Sequence, residues 1–127
     1  NSLACPAFVP LVEKGCFRGK EVEQVVADTL KPLAEKDYDT LILGCTHYPL
    51  LRKVIQRVVG NEKTLISSGD ETAREVSALL YYKNLLYTYD RKPEHVFYTT
   101  GDSQTFKKIA SNWLGIKLNL VETIILD

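Results

Sequence analysis

Hydrophobic residues in the first half of the chain follow helical spacing in three segments. Between residues 20 and 33 the apolar positions recur every three or four residues, which predicts an amphipathic helix that Pro32 ends or kinks. A brief helix over residues 8–13, ended by Gly15, precedes it. A third helix is predicted from about Pro49 to Gly60, and its buried stripe consists of Leu50, Leu51, Val54, Ile55, Val58 and Val59.

Two short apolar runs between these helices have the pattern of strands. Residues 40–43 are apolar in a way typical of a parallel strand that is buried on both faces. Residues 64–66 form the second run, which ends at a Ser-Ser-Gly segment. Strands that alternate with helices predict an α/β fold, with a mainly parallel sheet and flanking helices.

The second half of the chain repeats this alternation. Ser68 and Glu71 have the S-x-x-E spacing of a capping box, which predicts a helix that runs toward Leu86. A polar connector over residues 87–93 follows, and residues 95–100 alternate like a strand.

A last helix and strand are predicted before the end of the chain. Asp102 or Ser103 caps the helix, Gly115 ends it, and residues 117–125 form the strand. The apolar face of this helix consists of Phe106, Ile109, Ala110 and Trp113.

Composition narrows the class of protein. The 127 residues are 45% hydrophobic and 25% charged, which is typical of one soluble globular domain. Sixteen basic and sixteen acidic residues cancel without a basic cluster, so we expect no nucleic-acid partner. Without an apolar run of roughly 20 residues or a signal-peptide pattern, we expect no membrane span and a cytoplasmic location.

The three cysteines predict free thiols. Cys5, Cys16 and Cys45 are odd in number and fit neither a disulfide framework nor a zinc motif, so no metal site and a reducing compartment are expected. We interpret Cys5 as a buried packing residue and Cys16 as a loop residue. The chain has no methionine and begins with Asn1, which favours a natural start farther upstream.

Candidate chemistry is concentrated where the first strand ends. Cys45, Thr46 and His47 follow that strand directly, and ligands of doubly wound α/β proteins bind outside the carboxyl ends of strands. A helix N-terminus beside Cys45 would favour its thiolate and hold a small carboxylate together with the Thr46 hydroxyl. His47 is two residues away, where it could transfer a proton.

Structural interpretations of these three residues remain open at this point. Free cysteine is often a small buried hydrophobe, threonine often caps a helix, and a histidine is often a surface residue. A hydrolase with a cysteine nucleophile is a weaker interpretation, because no acid or amide residue in this stretch orients His47.

Residues 41–51 resemble the second cysteine signature of the aspartate/glutamate racemases. The G-C-T-H-Y-P-x-L form is typical of the glutamate-specific members, whereas aspartate-specific members commonly have glutamate after Cys-Thr. Residues 4–6 with 8–15 resemble the family's A-C-P-x-x-V-P-x-V-E-x-G segment, and residues 67–73 resemble its S-G-x-E-T-A segment.

This resemblance implies a racemase (isomerase) that interconverts L- and D-glutamate with two bases and no cofactor, and that supplies D-glutamate for peptidoglycan. Carried over by position, Cys45 is one base, Thr46 and His47 contact the glutamate substrate, His47 assists the thiol, and Glu13 tunes His47. A homodimer is implied for the full-length protein.

The resemblance also implies a two-lobed fold. Residues 1–66 would complete the second lobe and carry the Cys-Thr-His motif, and residues 67–127 would return to the first. The first signature, with its cysteine followed by Asn-Thr, is absent, so we expect this carboxy-terminal portion to be inactive alone. The alternatives are a non-catalytic glutamate-binding or interaction module that retains one half-site, and a relative of aspartate racemase.

Overall fold

The structure, a computed structural model, describes residues 1–126. Helices and strands alternate after the first two helices, and 3₁₀ turns over Lys31–Leu33 and Tyr48–Leu51 interrupt the series. The elements are α1 (Phe8–Glu13), α2 (Lys20–Leu30), β1 (Thr40–Leu43), α3 (Arg52–Val59), β2 (Thr64–Ser67), α4 (Ser68–Tyr82), β3 (Val96–Thr99), α5 (Ser103–Leu114) and β4 (Leu120–Thr123).

The strands pair in two separate parallel sheets. β1 pairs with β2 from Thr40 beside Thr64 to Leu43 beside Ser67, and β3 pairs with β4 in the same way. The α/β class is confirmed, although the strands of the described residues form two two-stranded sheets and not one continuous sheet. Because the strands are parallel, the carboxyl ends of β1 and β2 meet at one edge.

The core lies between the first sheet and helices α1, α2 and α3. The helical stripes predict it well, because residues three and four positions apart share one face of a helix. Its buried residues are Cys5, Phe8, Val12, Val22, Val26, Leu30, Leu43, Leu51, Val54, Ile55 and Leu65.

Much apolar surface remains exposed outside this core. Ile42 of β1 is 67% exposed, so the prediction of a strand buried on both faces is wrong for this chain: the two-stranded sheet is covered on one side only. Helices α4 and α5 contain no buried residue. Their exposed apolar side chains, with those of the following segments, include Val76, Leu79, Tyr81, Tyr82, Leu85, Trp113, Leu114 and Ile116.

The start and end of α4 differ from the prediction. Ser68 is the first helical residue, Ser67 occupies the N-cap, and no side chain caps the helix, so the capping box is wrong. Glu71 pairs instead with Arg74 within the helix. The helix ends at Tyr82, before Leu86, and Asn84 then takes a positive φ of 55°.

Three other predicted ends are confirmed. Gly15 and Gly115 have φ angles of 74° and 68°, a left-handed conformation that glycine adopts at little cost after a helix. Asp102 caps α5, because its carboxylate accepts a hydrogen bond of 2.7 Å from the Thr105 backbone N–H.

Within residues 1–126, none of the helices has both the length and the apolar character that crossing a membrane requires.

Replacing Asp102 tests the cap of α5. Hydrogen bonds from Thr105 hold the pKa of the Asp102 carboxyl below its usual value. The stability that this group contributes is therefore present above its unfolded pKa of about 4 and is lost as the pH falls through the lower folded value. We expect Asp102→Ala to lower the midpoint of urea unfolding at pH 7, whereas Asp102→Asn keeps the cap. Equal midpoints for wild type and Asp102→Ala would contradict this assignment.

Candidate active site

The segment after β1 carries the candidate catalytic residues. Cys45, Thr46 and His47 form a bend after the strand and Gly44, and the 3₁₀ turn over Tyr48–Leu51 follows. Leu43 lies beside Ser67 in the parallel register, so the bend adjoins the junction of β2 and α4. Leu51 is fully buried and anchors the turn in the core.

Cys45, His47 and Glu13 lie in a row. The Cys45 Sγ is 3.8 Å from the His47 Nδ1, and the His47 Nε2 is 3.9 Å from the Glu13 Oε1. The two ring nitrogens thus face different partners, a thiol on one side and a carboxylate on the other. The side chain of His47 is 32% exposed and that of Glu13 is 66% exposed, so solvent reaches the outer end of the row.

The side chains of Thr46 and Cys45 both approach the same ring nitrogen of His47. The Thr46 Oγ1 is 3.4 Å from the same Nδ1, and Thr46 is exposed whereas Cys45 is partly buried. One nitrogen of a neutral imidazole either donates or accepts a single proton, so the hydroxyl and the thiol compete for it. The four residues singled out in the sequence therefore lie together at one edge of the sheet.

The prediction that Cys45 lies at a helix N-terminus is wrong in position. The 3₁₀ turn begins at Tyr48 with His47 at its N-cap, and the α-helix begins only at Arg52. Cys45 therefore lies in the bend before the 3₁₀ turn and not at the first N–H groups of a helix. The apolar pattern of residues 50–59 does not distinguish the tighter turn from the α-helix, because residues three positions apart share a face in both.

Sequence reasoning did not find the contact between α1 and the 3₁₀ turn that follows β1. Tyr48 packs edge-on against Phe8 of α1, with ring centroids 5.3 Å apart, and its hydroxyl accepts a 3.1 Å hydrogen bond from the Cys5 N–H. These partners are about forty residues apart in sequence, and neither helical nor strand periodicity carries such information.

The other two cysteines have the environments expected of them. Cys5 is buried in the core and Cys16 is exposed. Burial raises the pKa of the Cys5 thiol, and the nearby Cys45 raises it further through charge repulsion. A buried thiol with a raised pKa is a poor nucleophile, which fits a packing role for Cys5.

An ion pair ties the start of α4 to α3. The Arg52 guanidinium contacts the Asp70 carboxylate and also donates a 2.9 Å hydrogen bond to the Leu65 carbonyl of β2. Both interactions lie beside the carboxyl edge of the first sheet. They connect the junction at Ser67 with the helix that follows the candidate catalytic segment.

Known proteins with the same sequence pattern are glutamate racemases. The chain is 63% identical over 114 residues to the glutamate racemase of Exiguobacterium sibiricum, which covers 90% of this chain and 42% of that protein. It is 53% identical over all 127 residues to that of Shouchella clausii, covering 46% of that protein. No protein-family model matches the chain.

Solved structures give the same result for the fold. A glutamate racemase isoform from Bacillus anthracis superposes with a TM-score of 0.80 at 43% identity, covering 99% of this chain and 47% of that one. The Francisella tularensis glutamate racemase, solved in complex with D-glutamate, superposes with a TM-score of 0.76 at 31% identity, covering 97% of this chain and 46% of that one.

In sequence and in fold, the chain matches one portion of glutamate racemases, which are α/β proteins, over nearly its whole length. The chain spans somewhat less than half the length of the curated relatives that it matches.

Alkylation of the cysteines tests their different environments. At pH 8 we expect iodoacetamide to modify Cys16 at least about tenfold faster than Cys5, because burial hides the Cys5 thiol and disfavours its thiolate. Mass spectrometry of the tryptic peptides measures both rates in the folded full-length protein, and denaturation should bring them close together. Equal rates in the folded protein would contradict the burial of Cys5.

Proposed function

We propose that this chain supplies one half of the active site of a glutamate racemase, an enzyme that inverts the α-carbon of glutamate. The observation that carries the proposal is the row of Cys45, His47 and Glu13 at the carboxyl edge of the first sheet. The relatives named glutamate racemase support it, and so does the D-glutamate in one of the similar structures.

In this proposal Cys45 is the base on one face of the substrate. The Glu13 carboxylate, 3.9 Å away, favours the neutral His47 tautomer with its proton on Nε2, which leaves the Nδ1 lone pair directed at the Cys45 thiol. Nδ1 takes the thiol proton, and the thiolate then removes the α-proton of glutamate, so that an S–H bond forms as the Cα–H bond breaks. The electron pair of that bond is delocalised into the α-carboxylate.

Inversion requires a second proton donor on the opposite face. A single thiol tends to return the proton to the side from which it came. We assign the second donor to the remainder of the full-length protein, since the relatives are about twice as long as this chain. The 127 residues alone are accordingly expected to be inactive.

Thr46 is the proposed substrate contact. Its hydroxyl is exposed at the site and approaches Nδ1 of His47 at 3.4 Å, so a bound carboxylate can accept a hydrogen bond from it. His47 is 32% exposed and is the other residue proposed to contact the substrate. A preorganised set of such donors is the means by which a site without a cofactor stabilises a carbanion.

The two halves of the chain are proposed to belong to different lobes. Residues 1–66 surround the buried core, whereas residues 67–127 present helices with no buried residue and many exposed apolar side chains. Apolar patches of this kind usually mark a surface that another part of a protein covers. We assign the covering surface to the upstream half, and we propose that the complete protein forms a homodimer.

The proposed biological role is to supply D-glutamate for peptidoglycan synthesis in the cytoplasm. Three free thiols suit a reducing compartment of this kind. Glutamate is favoured over aspartate as the substrate because His47, Tyr48 and Pro49 follow Cys45 and Thr46, as in the glutamate-specific pattern.

Exchange of the α-proton tests the catalytic proposal. In D₂O, the full-length enzyme should incorporate deuterium at Cα of both L- and D-glutamate, as followed by proton NMR, with aspartate as the comparison substrate. Cys45→Ala should lower the exchange rate by at least about a thousandfold, because it removes a general base. Glu13→Gln should lower kcat about tenfold through His47, a smaller effect than loss of the base itself.

Cys16→Ser is the matched control, because it removes a thiol from an exposed loop outside the row. Its rate should match that of wild type. Glutamate binding without any exchange in the wild-type enzyme would sink the racemase proposal and favour a binding module. Faster exchange on aspartate than on glutamate would overturn the substrate assignment.

Light scattering during size-exclusion chromatography tests the division into lobes. The separately expressed 127 residues should self-associate and bind a hydrophobic dye, because their apolar surface is uncovered. Co-expression with the upstream half should suppress both effects. A monomeric fragment that does not bind the dye would contradict the proposed lobe contact.

A further inference from the structure

Tyr48 joins the candidate catalytic segment to the helix that carries Glu13. Its hydroxyl accepts the hydrogen bond from the Cys5 N–H at 3.1 Å, and the Cys5 carbonyl in turn accepts one from the Phe8 N–H at 3.1 Å, where α1 begins. The Tyr48 ring also packs edge-on against the Phe8 ring, with an interplanar angle of 78°. The Tyr48 side chain thus contacts Phe8, the first residue of α1, and also Cys5, whose carbonyl binds the Phe8 N–H.

Both sides of this contact are rigid. Phe8 is 1% exposed, so the first residue of α1 is fixed in the core. On the other side, the Leu50 N–H donates to the His47 carbonyl at 3.1 Å, and Pro49 restricts the backbone of the same turn. A displacement of Tyr48 therefore moves His47, to which it is directly bonded.

Glu13 lies at the far end of the same short helix. Its carboxylate is 66% exposed, and among the described residues its one charged partner within 4.0 Å is the His47 Nε2, at 3.9 Å. The position of Glu13 relative to His47 therefore depends on how α1 seats against the 3₁₀ turn. Tyr48 of that turn makes the hydrogen bond to Cys5 and the aromatic contact with Phe8.

We propose that Tyr48 is a positioning residue that sets the distance between Glu13 and His47 through its contacts with Cys5 and Phe8. The inference rests on the proposed function, because it assigns Tyr48 to the same row of residues. Tyr48 itself is not assigned a contact with the substrate. Loss of its hydroxyl leaves the partly buried Cys5 N–H without its described partner and lets α1 shift.

A double-mutant cycle in the full-length enzyme tests this inference. Tyr48→Phe keeps the ring and removes only the hydroxyl. It should lower kcat for glutamate by about tenfold, since small misplacements of catalytic groups cost factors of this size, and it should change KM less than about twofold. In a Glu13→Gln background the same substitution should lower kcat by less than about twofold, because the interaction that it positions is already lost.

Tyr38→Phe is the matched control for removing a tyrosine hydroxyl. Tyr38 precedes the amino end of β1, and its ring lies 4.7 Å from the Lys63 ammonium, far along the strand from Cys45. Its kcat should equal that of wild type. Thermal unfolding of each variant separates loss of fold from loss of position.

Each outcome decides the inference. If Tyr48→Phe lowers kcat only in the enzyme that retains Glu13, the inference is supported. An equal loss of kcat in both backgrounds overturns it, because Tyr48 would then act independently of Glu13. An unchanged kcat in Tyr48→Phe overturns it as well. A wild-type enzyme that does not exchange the α-proton overturns the proposed function. An active wild-type enzyme whose kcat is unchanged by Tyr48→Phe overturns only the inference about Tyr48.

Discussion

The seating of α1 on the 3₁₀ turn after β1 is the contact on which the candidate site depends. Phe8 and Tyr48 pack edge to face there, and the Tyr48 hydroxyl accepts a hydrogen bond from the Cys5 N–H. Aromatic pairs in this geometry contribute about 0.5–1.5 kcal/mol beyond the area they bury. The contact is modest in energy, yet it brings a carboxylate and an imidazole from distant parts of the sequence to 3.9 Å.

The parallel pairing of β1 with β2 supplies the second constraint. It places Leu43 beside Ser67, so that the segment with Cys45 and the beginning of α4 leave the sheet at the same edge. Arg52 then bridges this edge by contacting Asp70 and the Leu65 carbonyl. The candidate site therefore lies beside a sheet end that Arg52 of α3 links to β2 and α4.

Local patterns in the sequence predicted the kinds of elements and most of their bounds. A helical stripe predicted α2, and glycine stops predicted the ends of α1 and α5, because amphipathic spacing and a left-handed residue depend on neighbouring residues alone. The failures have physical causes of longer range. An apolar residue such as Ile42 is predicted to be buried. Burial requires other elements to cover that face of β1, and the described residues leave Ile42 exposed. Ser68 and Glu71 have the spacing of a cap, yet the helix begins one residue too early for it.

The candidate residues were predicted by motif, whereas their geometry was not. Cys45, Thr46 and His47 are contiguous, so any strand end would group them, and Glu13 was linked to them only by the family pattern. The role of Tyr48 left no local signal, because its partners Cys5 and Phe8 are remote in sequence. Neither propensity nor periodicity reports which helix packs on which turn.

The junction between β2 and α4 constrains how the length of this protein can vary. β2 ends at Ser67 and α4 begins at Ser68, so no linker absorbs an insertion there. One added residue inside α4 at this point would turn the rest of the helix by about 100° and direct a different face at its surroundings. The exposed segment of residues 83–95 between α4 and β3 has no such constraint. Homologous chains should therefore gain and lose residues in the second place and keep a constant count in the first.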